Sequence, residues 1–190
     1  NRWQYTFTHR FYSDYYQSYG LGFYEYFLLS EEMGAAPLPI LNCGLACQYQ
    51  NNEEKAHVAV CDLDSYIQDA LDLIEFANGP VNSKWGALRA KMGHPESFGL
   101  DMISVGNEQW ESQYVDLYKR HQIFEKAIHE KYPDMRILGT AGPFLDSPIT
   151  EDAWNFYNSE FKANPNTCYA VDEHYYVSPQ WMYDLSLIHI

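Results

Sequence analysis

Two short stretches hold the side chains best suited to chemistry. In SVGNEQW, residues 104–110, Ser104 and Val105 close an apolar run, Gly106 breaks it, and Asn107, Glu108, Gln109 and Trp110 follow. A glutamate where a buried strand runs out, walled by an indole, loses hydration in its charged form. That favours holding a proton at neutral pH and giving it to a departing oxygen. Asn107 could donate a hydrogen bond to a substrate hydroxyl and keep the substrate in register. The plainer alternative is an Asn-Glu pair in a solvated loop.

The second stretch is DEHYY, residues 172–176. Extended backbone sends Asp172, His174 and Tyr176 to one side and Glu173 and Tyr175 to the other. His174 and Tyr176 could then face one ligand near a strand end. A metal would need further ligands from elsewhere, which the sequence does not place. A histidine satisfied by a neighbouring carboxylate is the competing reading. Glu31, Glu32, Glu53, Glu54, Glu125 and Glu130 fall where helix faces or loops meet solvent, and Asp69 and Asp72 on the outer side of a helix; none is assigned chemistry. Cys43 and Cys47 form a C-x-x-x-C with no second pair or nearby histidine, so they read as buried free thiols rather than a zinc site.

Charge narrows the partners. The 190 residues carry 26 acidic against 12 basic side chains, a net charge of −14, which argues against nucleic acid and anionic membranes. No apolar run is of membrane length. Seventeen tyrosines and five tryptophans suit the apolar faces and hydroxyl edges of sugar rings, or simply fill a large core.

Short apolar runs alternate with amphipathic segments. Helices are expected at 22–35, with Phe23, Tyr26, Phe27 and Ser30 on one side; at 63–78, where Leu63, Tyr66, Ile67, Ala70, Leu71, Ile74 and Ala77 keep the helical rhythm until Gly79-Pro80; at 114–133, with Tyr114, Leu117, Tyr118, Phe124, Ile128 and Tyr132 inward; and at 151–161. Strands are expected at 37–44, 100–106, 135–142 and 168–176. Alternation without hairpin turn signals means βα units and a parallel sheet. An open doubly wound sheet and a piece of a (β/α)8 barrel both fit. No G-x-G-x-x-G follows a strand, and Asn42, Asn107, Glu108, Glu173, His174 and Tyr176 gather at strand ends, the face where barrel sites lie. A full barrel takes roughly 250 residues, so about four readable strands make this part of one.

With those residues placed, the sequence resembles the α-L-arabinofuranosidases of glycoside hydrolase family 51, in particular the long bacterial members. The stretches that carry the likeness are GLGFYEYFLLSEEMGAAPLPILNCG, YIQDALDLIEFANGP, WGALRAKMGHPESFGLDMISVGNEQW, KYPDMRILGTAGP and VDEHYYVSPQWM, in the family's order from about residue 20 to 183. The pairing of LRAKMGHP with GNEQW is more specific than Asn-Glu alone.

The resemblance implies a partial (β/α)8 TIM barrel over residues 1–184, approximately strands three to six. The parent enzyme would be a retaining glycosidase that releases terminal non-reducing α-L-arabinofuranosyl residues without metal or organic cofactor. Glu108 matches the family's general acid/base and Asn107 the amide before it. His174 and Tyr176 match residues that line the arabinofuranose subsite. The nucleophile ends the seventh strand, so no residue here matches it, and the isolated piece is expected to be inactive. Family habit also implies homo-oligomers of the full-length protein, and export to the periplasm or exterior.

Three departures stand out. YTFTHRFYSDYYQS lacks the Gly-Pro and Arg-Pro-Gly pattern expected before YGLG. LSLIHI, residues 185–190, reads as translated sequencing adaptor. Glu111 stands where glycine often follows the tryptophan, which narrows the mouth. Two other readings stay open at this point: a clan-related endoglucanase or xylanase, which would also end its fourth strand in Asn-Glu, and a non-catalytic carbohydrate-binding protein.

Overall fold

The computed structural model describes residues 6–8, 16–18 and 20–184, the first two runs as backbone alone. The adaptor reading of 185–190 and most of the YTFTHRFYSDYYQS departure lie outside these residues.

Strands β1 (Thr6–Thr8) and β2 (Tyr16–Ser18) form a small antiparallel ladder. No hairpin was expected there, because the connecting residues are not the two-residue Asn-Gly or Asp-Gly type that signals one. Then follow α1 (Phe23–Met33), β3 (Ile40–Leu41), α2 (Asp64–Asn78), α3 (Lys84–Lys91), β4 (Met102–Val105), α4 (Leu117–Lys131), β5 (Arg136–Thr140), α5 (Pro148–Ala163), β6 (Ala170–Asp172) and α6 (Pro179–Asp184).

Strands β3 to β6 make one parallel sheet in the order β3-β4-β5-β6, with Leu41 beside Val105, Ile103 beside Ile137 and Gly139 beside Val171. Spatial order follows chain order without reversal, so the sheet has no topological switch point. That is how successive βα units grow a barrel, and it is unlike a doubly wound sheet. All four strand C-termini therefore open on one face.

The main core lies between the sheet and the helices. Ile103, Val105 and Ile137 from the strands meet Phe27, Ala70, Ile74, Phe124 and Ile128 from α1, α2 and α4, all buried. Helix α2 keeps its expected face: Leu63, Ala70, Ile74 and Ala77 are buried, with Tyr66, Ile67 and Leu71 half-buried. In α1 only Phe27 is buried, while Phe23 and Tyr26 are exposed. Tyr114 does not belong to α4. It sits with Asp116 in a left-handed reversal ahead of the helix and is exposed; Arg120 and His121 take inward positions instead. A second cluster packs Ala153 and Tyr157 of α5 on Ala141 and Cys168. There the Tyr157 ring presses on β5: a Cβ at Gly139 would fall 2.2 Å from its Cζ, so only glycine admits this contact.

Helix α3 has no apolar rhythm to announce it, because its buried face consists of Gly86 and Arg89. Ser83 caps it by accepting from the Gly86 N–H at 3.1 Å. Gly86 lets α3 press on the chain before it: a Cβ would meet the Pro80 carbonyl oxygen at 2.2 Å.

Candidate active site

The loop after β4 turns sharply. Gly106 has φ 83°, which costs glycine nothing, but Glu108 also lies in the left-handed region at φ 56°. For a residue with a Cβ that conformation costs roughly 1–2 kcal/mol. Something must hold it, and two buried amides do. Gln109, 5% exposed, accepts from the Asn107 N–H at 2.8 Å and donates to the Ala46 carbonyl at 3.3 Å. Gln48, 4% exposed, accepts from the Trp110 N–H at 3.0 Å and donates to the Trp110 carbonyl at 2.9 Å. The segment carrying Glu108 is thus tied to the loop after β3 through Gln109 and Trp110, and Asn107 is tied to Gln109.

Turned this way, the Glu108 carboxylate meets the segment after β6. The Tyr176 hydroxyl donates to Glu108 Oε1 at 2.7 Å, and His174 Nδ1 lies 2.9 Å from the same oxygen. His174 Nε2 faces Asp172 Oδ2 at 3.2 Å, and Asp172 Oδ1 accepts from the Ala141 N–H at 3.3 Å. An imidazole between two carboxylates can donate to both only as the imidazolium. Burial pulls its pKa down, but the bonds to Glu108 and Asp172 prevail and the pKa stands above the ordinary histidine value. Tyr176 is likewise raised, chiefly by its bond to Glu108.

Strand β6 ends at Asp172, so residues 173–176 are not a regular strand, yet the alternation read from the sequence persists. His174 and Tyr176 both reach Glu108, and Asp172 backs His174. Glu173 points away, where Trp154 Nε1 donates to its Oε1 at 2.5 Å and the Tyr175 hydroxyl donates to its Oε2. Asn107 is exposed, and its side chain lines a smaller cavity of about 240 Å³ beside Asn42 and Cys47 rather than the one that holds Glu108.

The cavity at Glu108 measures about 1250 Å³ and is lined by Glu108, Tyr176, Tyr49, Phe144, Cys47 and Asp146. Its aromatic wall is therefore Tyr49, Phe144 and Tyr176. Trp110, expected in that wall, does not line the cavity; its ring is a tilted neighbour of Phe144, with centroids 6.3 Å apart. Glu111 does not narrow the mouth: its carboxylate accepts from the Tyr118 N–H at the start of α4, at 3.2 Å. The thiols divide. Cys43 is buried, which raises its pKa to about 11, whereas Cys47 is exposed at the cavity rim. Glu125 is not a solvent-facing carboxylate either, since it holds His129 Nδ1 at 2.8 Å and accepts from Asn164 at 3.1 Å.

Chemically, both neighbours of Glu108 engage Oε1, and Oε2 carries no protein hydrogen bond among the described residues. A carboxylic acid held this way would accept on Oε1 and keep its proton on Oε2, free to meet an oxygen in the cavity. Gln48 and Gln109 were not singled out in the sequence. Their signal was a glutamine next to the candidate acid and another in ACQYQ, polar residues whose flanks, Cys47 and Trp110 among them, gave no reason for burial. Buckled loops are tied by such amides because their backbone groups have no ladder to join.

A family model described as the alpha-L-arabinofuranosidase 1 domain matches residues 1–188. An extracellular exo-alpha-L-arabinofuranosidase of Streptomyces chartreusis is 45% identical over 168 residues, which are 88% of this chain and 19% of that protein. Alpha-L-arabinofuranosidase 1 of Arabidopsis thaliana is 39% identical over 145 residues, 74% of this chain and 20% of its own length. The chain thus spans about a fifth of these relatives. Among solved structures, an arabinose-bound glycoside hydrolase family 51 α-L-arabinofuranosidase superposes with a TM-score of 0.64 at 29% identity, over 89% of this chain and 23% of that one. A family 51 enzyme from Bifidobacterium longum gives 0.63 at 14% identity over 88% of this chain and 30% of its own, a likeness of fold alone. The four-stranded sheet is part of a (β/α)8 barrel.

Proposed function

The chain belongs to the α-L-arabinofuranosidase family, and from that membership we propose that it supplies residues 1–184 of the catalytic barrel of a longer enzyme. That enzyme is a retaining glycosidase that releases terminal non-reducing α-L-arabinofuranosyl units from arabinose-containing polysaccharides or oligosaccharides. Glu108 is its general acid/base. One observation carries this reading: Glu108, in the loop after β4, faces a large aromatic-walled cavity, with Oε1 held by His174 and Tyr176 and Oε2 unbonded among the described residues.

A carboxylate from elsewhere in the complete barrel attacks the anomeric carbon of the bound furanoside. As the C–O bond breaks, Glu108 passes its proton from Oε2 to the departing oxygen, which leaves as an alcohol. A covalent arabinosyl ester remains. Glu108, now a carboxylate, takes a proton from water as that water attacks the anomeric carbon, and the nucleophile is freed with the configuration retained. Retention asks for the two carboxyl groups to lie about 5–5.5 Å apart. His174 and Tyr176 steady Glu108 through both steps, and Asn107 meets a substrate hydroxyl from the adjoining cavity.

Product identity tests the proposal. Incubated with arabinan and arabinoxylan, the complete protein is expected to liberate free arabinose and leave the backbone intact. Internal cleavage of a xylan or glucan without arabinose would assign the barrel to a related glycosidase. Binding without any product would mean a carbohydrate-binding protein.

A further inference from the structure

We propose that Gln48 is a positioning residue for Glu108, an inference that rests on the acid/base role just given. Gln48 belongs to the loop after β3, yet it bonds both polar backbone atoms of one residue on the loop after β4: its Oε1 accepts from the Trp110 N–H at 3.0 Å and its Nε2 donates to the Trp110 carbonyl at 2.9 Å. Trp110 lies two residues beyond Glu108. Only a side chain that presents an acceptor and a donor on one rigid plane can satisfy that peptide pair, and of the long side chains only glutamine does so without charge.

The consequence for Glu108 follows from its backbone. With φ at 56° it rests in a conformation that a free loop would leave. Upstream, Asn107 is fixed by Gln109, whose own Nε2 returns to Ala46. Downstream, Trp110 is fixed by Gln48. Between these points the Glu108 backbone cannot rotate toward the right-handed or extended regions. Gln48 is 4% exposed, so its own amide is held away from water and directed at the Trp110 peptide. Remove the amide, and that peptide must find new partners. Glu108 is then free to relax and swing its carboxyl from His174, Tyr176 and the cavity. Gln48 touches no bound sugar in this account and acts through the acid alone.

A residue that merely stiffened the fold would lower all activities together. A residue that places the acid lowers only those that need a proton. In the complete protein, Gln48→Leu is expected to reduce kcat/KM on an arabino-oligosaccharide about 10²-fold, with KM nearly unchanged, and on 2,4-dinitrophenyl α-L-arabinofuranoside less than about threefold. Gln48→Glu keeps an acceptor for the Trp110 N–H but sets a carboxylate against the Trp110 carbonyl, and should show the same contrast. It also serves as the reading if the leucine variant does not fold. Equal losses on both substrates, or no loss on either, in a wild type that does release arabinose would overturn the positioning role alone. A wild type silent on both substrates would instead overturn the proposed function.

Discussion

Glu108→Gln in the complete protein should lose about 10³-fold in kcat/KM on arabinan while staying within about tenfold of wild type on 2,4-dinitrophenyl α-L-arabinofuranoside. The substitution keeps shape and leaves an amide oxygen that can still accept from Tyr176 and His174, the two groups that hold the carboxylate. What it removes is a transferable proton. An alkoxide is too basic to leave without one, so cleavage of a sugar–sugar bond stalls. A dinitrophenolate needs no proton, and kcat/KM reports only the first irreversible step. With that substrate the ester should form quickly and break down slowly, since Glu108 is also the proposed base, so kcat falls while a burst of dinitrophenol appears. Equal losses in kcat/KM on both substrates would mean that Glu108 does not act as the acid.

The second large effect is on stability. Arg89 is 1% exposed and bonds four backbone carbonyls: Phe76 at 2.6 Å, Gly79 at 2.8 Å, and His94 and Pro95 at 3.0 Å. Phe76 and Gly79 lie at the C-terminal end of α2, where helix carbonyls lack intrahelical partners and carry partial negative charge. One guanidinium thereby caps α2, anchors α3 and closes the turn that follows it. Arg89→Ala leaves these part-buried acceptors without their partner and should cost about 4 kcal/mol, enough to leave much of the protein insoluble. Arg89→Lys keeps the charge, but one ammonium cannot reach four carbonyls that the planar fork spans, so about 2 kcal/mol is expected. Urea midpoints of the purified complete protein measure both. A loss under about 1 kcal/mol for the alanine variant would show that the four bonds contribute little.

Periodicity made most of the fold legible. The i, i+3, i+4 rhythm of α2 and the apolar runs at β4 and β5 place core residues that the structure buries. What escaped was whatever lacked an apolar signal. Helix α3 buries a glycine and an arginine, Arg120 sits fully buried on the carbonyls of Val115, Cys43 and Val58, and the left-handed turn before α4 pushes Tyr114 outward. In the site, residue type and parity were readable: strand-end Glu108, and Asp172, His174 and Tyr176 on one side. The left-handed Glu108 and the amides that tie its loop were not, because they depend on which loops meet across residues far apart in the chain. Trp110 was misplaced for the same reason. Its proximity to Glu108 in sequence suggested the cavity wall, but Gln48 pins its backbone, and Phe144, beside its ring, lines the cavity instead.

Whether Glu108 serves first as acid and then as base at the anomeric carbon is decided by Glu108→Ala of the complete protein assayed with 2,4-dinitrophenyl α-L-arabinofuranoside and azide. Azide is an anion that needs no base to attack, so it should intercept the covalent ester, restore turnover and yield α-L-arabinofuranosyl azide of retained configuration. Turnover that azide leaves unchanged, with no sugar azide formed even in a single turnover, would contradict the role of Glu108.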